Sequence, residues 1–182
     1  LVVDLGTDML PALALGAEPP EARVMQRPPR SPQERLLSWP LLARAYLFLG
    51  IMEAVAAMAA FFFVLRAAGW SYGEMLTADN PVYLQATTAC LSAIIVTQVV
   101  NVFLCRSARG SLFTRGIFVN RLMLFGIAAE IALILFIDYT PWGNRLFGTA
   151  PIPLDVWLYL IPFAIVMLLF EELRKSLVRR LL

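Results

Sequence analysis

Two carboxylates near the start of the chain, Asp4 and Asp8, lie four residues apart in an otherwise apolar stretch. On a helix this spacing puts both on one face, about 6 Å apart at their β-carbons, with Thr7 beside them. Carboxylate, hydroxyl and carbonyl oxygens are the ligands that hard cations prefer. Gly6 and Pro11 loosen helical hydrogen bonding and so free backbone carbonyls as further ligands. The pattern predicts a cation site; the alternative is a hydrated helix end that binds nothing.

A second polar set lies in two later apolar stretches. Gln98 and Asn101 share one helix face, three residues apart, and Glu130 falls near the middle of the next stretch. An ionisable residue at the centre of a membrane helix costs roughly 2.5 to 3.5 kcal/mol on insertion scales, so it needs a function or a partner. We predict that all three residues contribute to a cation site. The alternative is interhelical hydrogen bonding, worth about 0.6 kcal/mol on average in membranes.

Two further acidic residues, Glu53 and Asp138, are not predicted to belong to a cation site. We expect both to lie toward the ends of their apolar stretches. Snorkelling or contact with solvent explains a charged side chain in that position, without a bound ion.

The composition restricts the class of protein. Of the 182 residues, 60% are apolar and 15% are charged, whereas a soluble domain has about 25% charged residues. Histidine is absent, which excludes His-dependent catalytic triads on this chain. A net charge of +2 is too small to indicate nucleic acid as a partner. Cys90 and Cys105 would lie about 22 Å apart along one helix, too far to pair.

The apolar stretches predict an all-α fold, a polytopic transmembrane helix bundle with four complete spans and the end of a fifth. A span needs about 20 mainly apolar residues. Residues 1–15 are shorter than that and lack a signal-peptide pattern, so we expect them to be the end of a span whose beginning lies upstream. The four complete spans are Leu41 to Leu65, Thr87 to Leu104, Leu122 to Ile137 and Leu154 to Phe170.

Basic residues predict the orientation of these spans, because Lys and Arg accumulate in short cytoplasmic loops. Arginine is frequent in the proline-rich segment 16–40, in the segment 106–115 and, with lysine, in the tail 171–182. We therefore expect these three regions, and the C-terminus, to be cytoplasmic. The segments 66–86 and 139–153 hold one arginine each, together with Trp and Tyr residues suited to a membrane interface, and are expected to face outward.

The sequence also lacks the motifs of soluble catalytic domains. It contains no GxxxxGK[ST] loop, no GxGxxG pattern and no cysteine cluster. We predict no catalytic and no cofactor-binding residue on this chain.

Several motifs resemble the P-type cation-transporting ATPases. DLGTDMLPALAL (4–15), EPPE (18–21) and VMQRPPR (24–30) closely resemble the sixth transmembrane helix and the cytoplasmic loop after it. RAY (44–46) and LGIME (49–53) are similar to the start of the seventh helix, VTQ (96–98) with Asn101 to the eighth, LFG (124–126) through Glu130 to the ninth, and FEELRK (170–175) to the exit of the tenth. On this resemblance residues 1–15 end helix six and residues 41–170 hold helices seven to ten.

The resemblance implies roles for the polar residues. Asp4 and Asp8 would be the ion-coordinating carboxylates of helix six, with Thr7 a neighbouring ligand. DLGTDM looks more like the sodium/potassium and proton/potassium pumps than the calcium pumps, which favours Na⁺ or K⁺ over Ca²⁺ as the transported cation. Gln98, Asn101 and Glu130 match positions of an additional sodium site, but Asn101 stands where those pumps have aspartate, which removes a charge from that site.

The resemblance also implies what surrounds this chain. The full-length protein would be an ion-translocating ATP hydrolase of the plasma membrane that uses Mg²⁺ and ATP. Its helices one to five and cytoplasmic domains, the lipid bilayer and the transported cations would be the partners, and the chain alone would hold no cofactor. The alternative is a free-standing, non-enzymatic accessory or scaffold protein of the membrane, and the sequence upstream of Leu1 discriminates between the two.

Overall fold

The fold is taken from a computed structural model that describes residues 2–18, 37–107, 110 and 120–181, with side chains described from residue 9 to residue 180 within these ranges. Most of the predicted proline-rich loop, and Arg109 and Arg115, lie outside the described residues. Regular structure in the described part is helical, which confirms the predicted all-α class. The helices are α1 (Val2–Gly16), α2 (Trp39–Leu42), π1 (Ala43–Leu49), α3 (Gly50–Ala67), α4 (Pro81–Cys105), α5 (Arg121–Tyr139), α6 (Pro141–Phe147) and α7 (Leu154–Leu181).

Four helices of the described part are long and apolar enough to cross a membrane, which confirms the number and order of the predicted spans. They are longer than the apolar runs that predicted them, because each continues into flanking polar or aromatic residues. The spans are Trp39–Ala67, which joins α2, π1 and α3, Pro81–Cys105, Arg121–Tyr139 and Leu154–Arg180.

Side-chain hydrogen bonds cap the N-terminal ends of α4, α5 and α6. Asn80 Oδ1 accepts a hydrogen bond from Val82 N at 2.9 Å at the start of α4, and Asn120 Oδ1 accepts one from Met123 N at 3.0 Å at the start of α5. Thr140 begins the short helix α6 in the same way. These bonds satisfy amide groups that have no partner within their own helix.

Helix α4 lies at the centre of the bundle and contacts α1, α3, α5 and α7. Its interface with α3 is the largest and consists mainly of small side chains, which let two helix backbones approach closely in a membrane. The buried core of this interface extends to α7 and contains Ala57, Ala60, Val64, Leu65, Ala86, Ala89, Ala93, Ile152, Val156 and Leu160.

Helix α1 packs antiparallel against α5, and Gly126 sets the distance between them. A β-carbon at Gly126 would lie 3.1 Å from Pro11 N and 3.2 Å from the carbonyl carbon of Leu10. One turn further along α1, Ala14 packs with Met123, and the Ala14 carbonyl accepts a hydrogen bond from Asn120 Nδ2 at 2.9 Å. From Pro11 to Ala14 the chain of α1 advances by three residues, and the partner on α5 moves back by three, from Gly126 to Met123. The two helices therefore run in opposite directions.

Two local features go beyond the sequence prediction. The π-helix π1 interrupts the first long span, with Gly50 N bonded to the Ala45 carbonyl five residues earlier. π-Helical turns are rare in proteins, and those that occur are often found at functional sites. Helix α6 is the second feature: it lies within the segment expected to be an outward loop and ends at Gly148, whose φ of +65° lies in the left-handed region that glycine adopts at low cost.

Candidate cation site

Helix α1 carries the predicted carboxylate pair, and its backbone is helical from Val2 to Gly16. The side chains of Asp4, Thr7 and Asp8 lie outside the described part, so their assignment as ligands stays a prediction. One backbone feature is independent of them. Pro11 lies inside the helix and has no N–H, so the Thr7 carbonyl lacks the donor that normally follows four residues later. That oxygen is available to another donor or to a cation.

Gln98 and Asn101 line one cavity of about 550 Å³ between α1, α4 and the first long span. The structure thus confirms that the two amides share one face. Helix α1 contributes Ala12 to the cavity wall, one helical turn after Asp8 in the same row of the helix. The remaining described lining residues are Pro11, Leu15, Tyr46, Glu53 and Val102.

Glu130 belongs to the interface between α5 and α1. It is 2% exposed and lies one helical turn after Gly126, on the face of α5 that meets α1. The antiparallel alignment of the two helices places Glu130 level with Thr7. Glu130 was predicted to form one group with Gln98 and Asn101. It lies instead in the interface of α5 with α1, next to the interface of α4 with α1 that holds the two amides.

Glu53 does not fit the position expected from the sequence. It is the midpoint of the 29-residue span Trp39–Ala67, so the expectation that it lies toward a helix end was wrong. Its side chain lines the cavity of Gln98 and Asn101. Glu53 and Asn101 also line a smaller adjoining cavity of about 140 Å³, together with Arg44 and Cys105. The central position of Glu53 in its apolar run was the sequence signal for this site.

The expectation that Asp138 contacts solvent was also wrong. Although it is the penultimate residue of α5, its side chain is fully buried, and its Oδ2 accepts a hydrogen bond from Ser92 Oγ of α4 at 2.9 Å. The segment after α5 folds back over this end. Asn144 Nδ2 donates to the carbonyls of Ile137 and Asp138, both at 3.0 Å, and Thr149 Oγ1 donates to Ile137 O at 2.7 Å.

A charged clamp joins α1, α4 and α5 at the arginine-rich end of the bundle. Glu18 Oε1 accepts hydrogen bonds from Arg106 Nε at 2.9 Å and Nη2 at 2.7 Å. Its other oxygen accepts from Asn120 Nδ2 at 2.7 Å. The side chain of Arg106 is 2% exposed and that of Glu18 is 11% exposed, so the pair is largely removed from solvent. This clamp fixes the end of α1 relative to α4 and α5.

A second ion pair ties α7 to the first long span. Glu171 is fully buried and lies between Arg44 Nη2 at 2.6 Å and Arg174 Nη2 at 2.7 Å. One turn later, Lys175 Nζ donates to the carbonyl of Leu104 at 3.0 Å, near the end of α4. The contacts of Arg44 with Glu171 and of Lys175 with Leu104 link residues far apart in sequence, and no local motif indicates them.

Among the described side chains no group of three or more His, Cys, Asp and Glu residues is arranged to hold a metal ion. The polar side chains among the described residues that line the larger cavity are one carboxylate, two amides and a phenol.

The bundle and its internal polar groups define a polytopic α-helical membrane protein. Residues 1–177 match the family described as "Cation transporting ATPase, C-terminus", and the chain belongs to that family. It is 29% identical to the sodium/potassium-transporting ATPase subunit alpha-1 of Catostomus commersonii, 29% identical to subunit alpha-2 of Bos taurus and 31% identical to subunit alpha-4 of Homo sapiens. Each match covers 99% of this chain and 20% of the relative.

The chain thus spans about one fifth of the length of the curated relatives it matches. The predicted resemblance is confirmed: this is the C-terminal membrane region of a P-type cation ATPase of the sodium/potassium group.

Proposed function

We propose that this chain supplies part of the intramembrane cation-binding site of an ATP-driven cation pump, with Na⁺ or K⁺ favoured over Ca²⁺. The observation that carries the proposal is the cavity lined by Glu53, Gln98 and Asn101 beside α1, the helix that bears Asp4 and Asp8. Family membership supports the same function. Oxygen ligands from carboxylates, amides and carbonyls suit alkali and alkaline-earth cations.

Asp4, Asp8 and Thr7 of α1 are the proposed principal ligands. The proline at position 11 leaves the Thr7 carbonyl without its usual donor, and broken helical hydrogen bonding is how many transporters expose backbone oxygens to an ion. Glu130 is level with Thr7 on α5 and adds a carboxylate from the opposite side of that interface. Gln98 and Asn101 add amide oxygens from α4.

The proposed mechanism couples these ligands to ATP hydrolysis elsewhere in the parent protein. ATP and Mg²⁺ would act in its cytoplasmic domains, and helices one to five would complete the ion cage. A shift of α1 would change the distance between its carboxylates and the cavity on α4. A cation held tightly in one arrangement and weakly in the other is transported when the two alternate. We place the pump in the plasma membrane, with the C-terminus of this chain cytoplasmic.

Transport by the full-length protein tests this function. Purified protein in sealed vesicles is supplied with Mg²⁺ and ATP, and ATP hydrolysis and cation uptake are measured against a panel of Na⁺, K⁺ and Ca²⁺. Hydrolysis that requires Na⁺ or K⁺ is the expected result. Hydrolysis that responds to Ca²⁺ alone would contradict the ion assignment. A native protein without ATP hydrolysis would favour the accessory or scaffold alternative.

A further inference from the structure

The short helix α6 lies at the end of the bundle that the basic residues predict to face outward. It begins two residues after Tyr139, the last residue of α5, and α7 begins at Leu154. Tyr139 OH accepts a hydrogen bond from Trp157 Nε1 of α7 at 2.7 Å and donates one to Ile152 O at 2.8 Å. Tyrosine and tryptophan collect where the hydrocarbon core meets the lipid headgroups. Helix α6 therefore lies at the depth of that interface.

One face of α6 is fixed to the end of α5. A β-carbon at Gly143 would overlap Phe136 O and lie 2.7 Å from Ile137 Cα, so the two backbones are in direct contact. Asn144 Nδ2 donates hydrogen bonds to the carbonyls of Ile137 and Asp138, both at 3.0 Å. These contacts make α6 and the last turn of α5 one rigid unit.

The other face of α6 carries Trp142, Arg145 and Leu146, which lie side by side because they are three and four residues apart. Trp142 is 78% exposed and Leu146 is 76% exposed, and Arg145 is exposed as well. In the part of the chain that the structure describes, Trp142 and Arg145 have no hydrogen-bond or ion-pair partner. The face thus combines apolar surface with unused N–H donors.

A phospholipid matches this combination of groups. A guanidinium group forms short, charge-assisted hydrogen bonds with phosphate oxygens, and Arg145 is the one charged residue of α6. An indole ring lies at the level of the headgroups and has an N–H to donate there. A leucine on the same face reaches the start of the acyl chains, as in helices that lie in the plane of the interface.

We propose that α6 is a phospholipid-binding anchor, in which Arg145 and Trp142 hold a phosphate group of the outward leaflet and Leu146 enters the acyl-chain region. Because α6 is fixed to α5, the bound lipid holds the last turn of α5 at a constant depth, together with the buried Asp138. The anchor is independent of the cation that the protein transports.

Spin labelling of the full-length protein in vesicles measures the depth of α6. Leu146→Cys carries the nitroxide, in a background whose other reactive cysteines are serine, and collisions with oxygen and with a water-soluble nickel complex report its depth. In vesicles of phosphatidylcholine and phosphatidylglycerol we expect the label about 5 to 10 Å into the boundary between headgroups and acyl chains. The same label at Asp79→Cys, an exposed polar position between α3 and α4, is the control and should collide with the nickel complex as in water.

Arg145→Gln tests the phosphate contact. In the phospholipid vesicles we expect this change to shift the label at Leu146→Cys toward water, whereas Arg145→Lys keeps the charge and should keep most of the depth. In bilayers of digalactosyldiacylglycerol, a lipid without phosphate, Arg145→Gln should leave the depth unchanged. Because Arg145 is exposed, the thermal midpoint of each variant in detergent should equal that of the parent protein.

Three results would overturn the anchor. Free collision of the Leu146→Cys label with the nickel complex would place α6 in water. Exclusion of both oxygen and the nickel complex would mean that another protein chain covers the face. Equal depths with and without Arg145→Gln in phospholipid vesicles would show that α6 enters the interface through its apolar side chains alone and binds no phosphate.

Discussion

Ser92 Oγ lies 2.9 Å from Asp138 Oδ2, and both side chains are fully buried between α4 and α5. The same hydroxyl lies 3.0 Å from the carbonyl of Thr88. A serine hydroxyl has one proton to donate, so it cannot serve both acceptors at once. The contacts are all satisfied when the Asp138 carboxyl group carries a proton and donates it to Ser92 Oγ, which then donates to Thr88 O. The pair thus joins two membrane helices through a chain of hydrogen bonds.

We expect Ser92→Ala to lower the free energy of unfolding by roughly 1 kcal/mol, because it leaves a buried carboxyl oxygen without its partner. Asp138→Asn should cost less, since the amide Nδ2 can donate to Ser92 in place of the carboxyl group. Thr87→Ala is the matched control on the same helix, because the Thr87 hydroxyl bonds only to carbonyls of its own helix among the described contacts. Thermal unfolding in detergent measures all three, and equal midpoints for Ser92→Ala and the control would contradict the role of the pair.

The four spans could be predicted from sequence because the hydrocarbon core requires about 20 apolar residues, a condition on composition alone. The burial of Asp138 could not be predicted in this way. Its cover comes from Asn144 and Thr149, which lie beyond the helix end and fold back over it. A side chain at a helix terminus is exposed or buried according to the loop that follows, and apolar patterning does not describe that loop.

Gly126 provides a second test, at the crossing of α1 and α5. Gly126→Ala adds a β-carbon about 3.1 Å from Pro11 N, a backbone atom that cannot rotate away. We expect a loss of about 1 to 3 kcal/mol in stability, typical of overpacking, and weaker cation binding because α1 moves relative to Glu130. Gly16→Ala is the control, since its β-carbon would have nothing within 4 Å. Cation affinity and thermal midpoints like those of the control would show that the crossing tolerates a wider separation.

The candidate site was predictable only in part. Helical spacing predicts that Gln98 and Asn101 lie on one face of their helix, and the structure confirms that both line one cavity. Contacts across the bundle do not follow from spacing. Glu18 and Arg106 are 88 residues apart in sequence, and nothing local to either indicates the other. For Glu53, the sequence showed its central position in an apolar stretch. It did not show that Glu53 lines the same cavity as Gln98 and Asn101 of α4.

Glu171 should be more important for stability than Arg174. Glu171→Gln removes the carboxylate between Arg44 and Arg174 and leaves two guanidinium groups close together, so we expect a loss of roughly 3 kcal/mol or more. Arg174→Gln leaves the Arg44–Glu171 pair intact. Because the Arg174 side chain is 28% exposed, its removal should cost about 1 kcal/mol or less. Unfolding midpoints of the two variants measure the difference, and similar midpoints would contradict this order.

The carboxylates of α1 give the most direct prediction for function. Asp4→Asn and Asp8→Asn each remove one charge from the proposed ion cage and keep the shape of the side chain. We expect at least a tenfold loss of apparent affinity for Na⁺ or K⁺, about 1.4 kcal/mol, which is modest for a charge lost near a partly dehydrated cation. The measurement is the cation dependence of ATP hydrolysis by the full-length protein in native membranes, with Asp79→Asn as the control for removal of an exposed carboxylate. Wild-type cation dependence in both α1 variants would mean that Asp4 and Asp8 lie at a hydrated helix end and do not bind the transported ion.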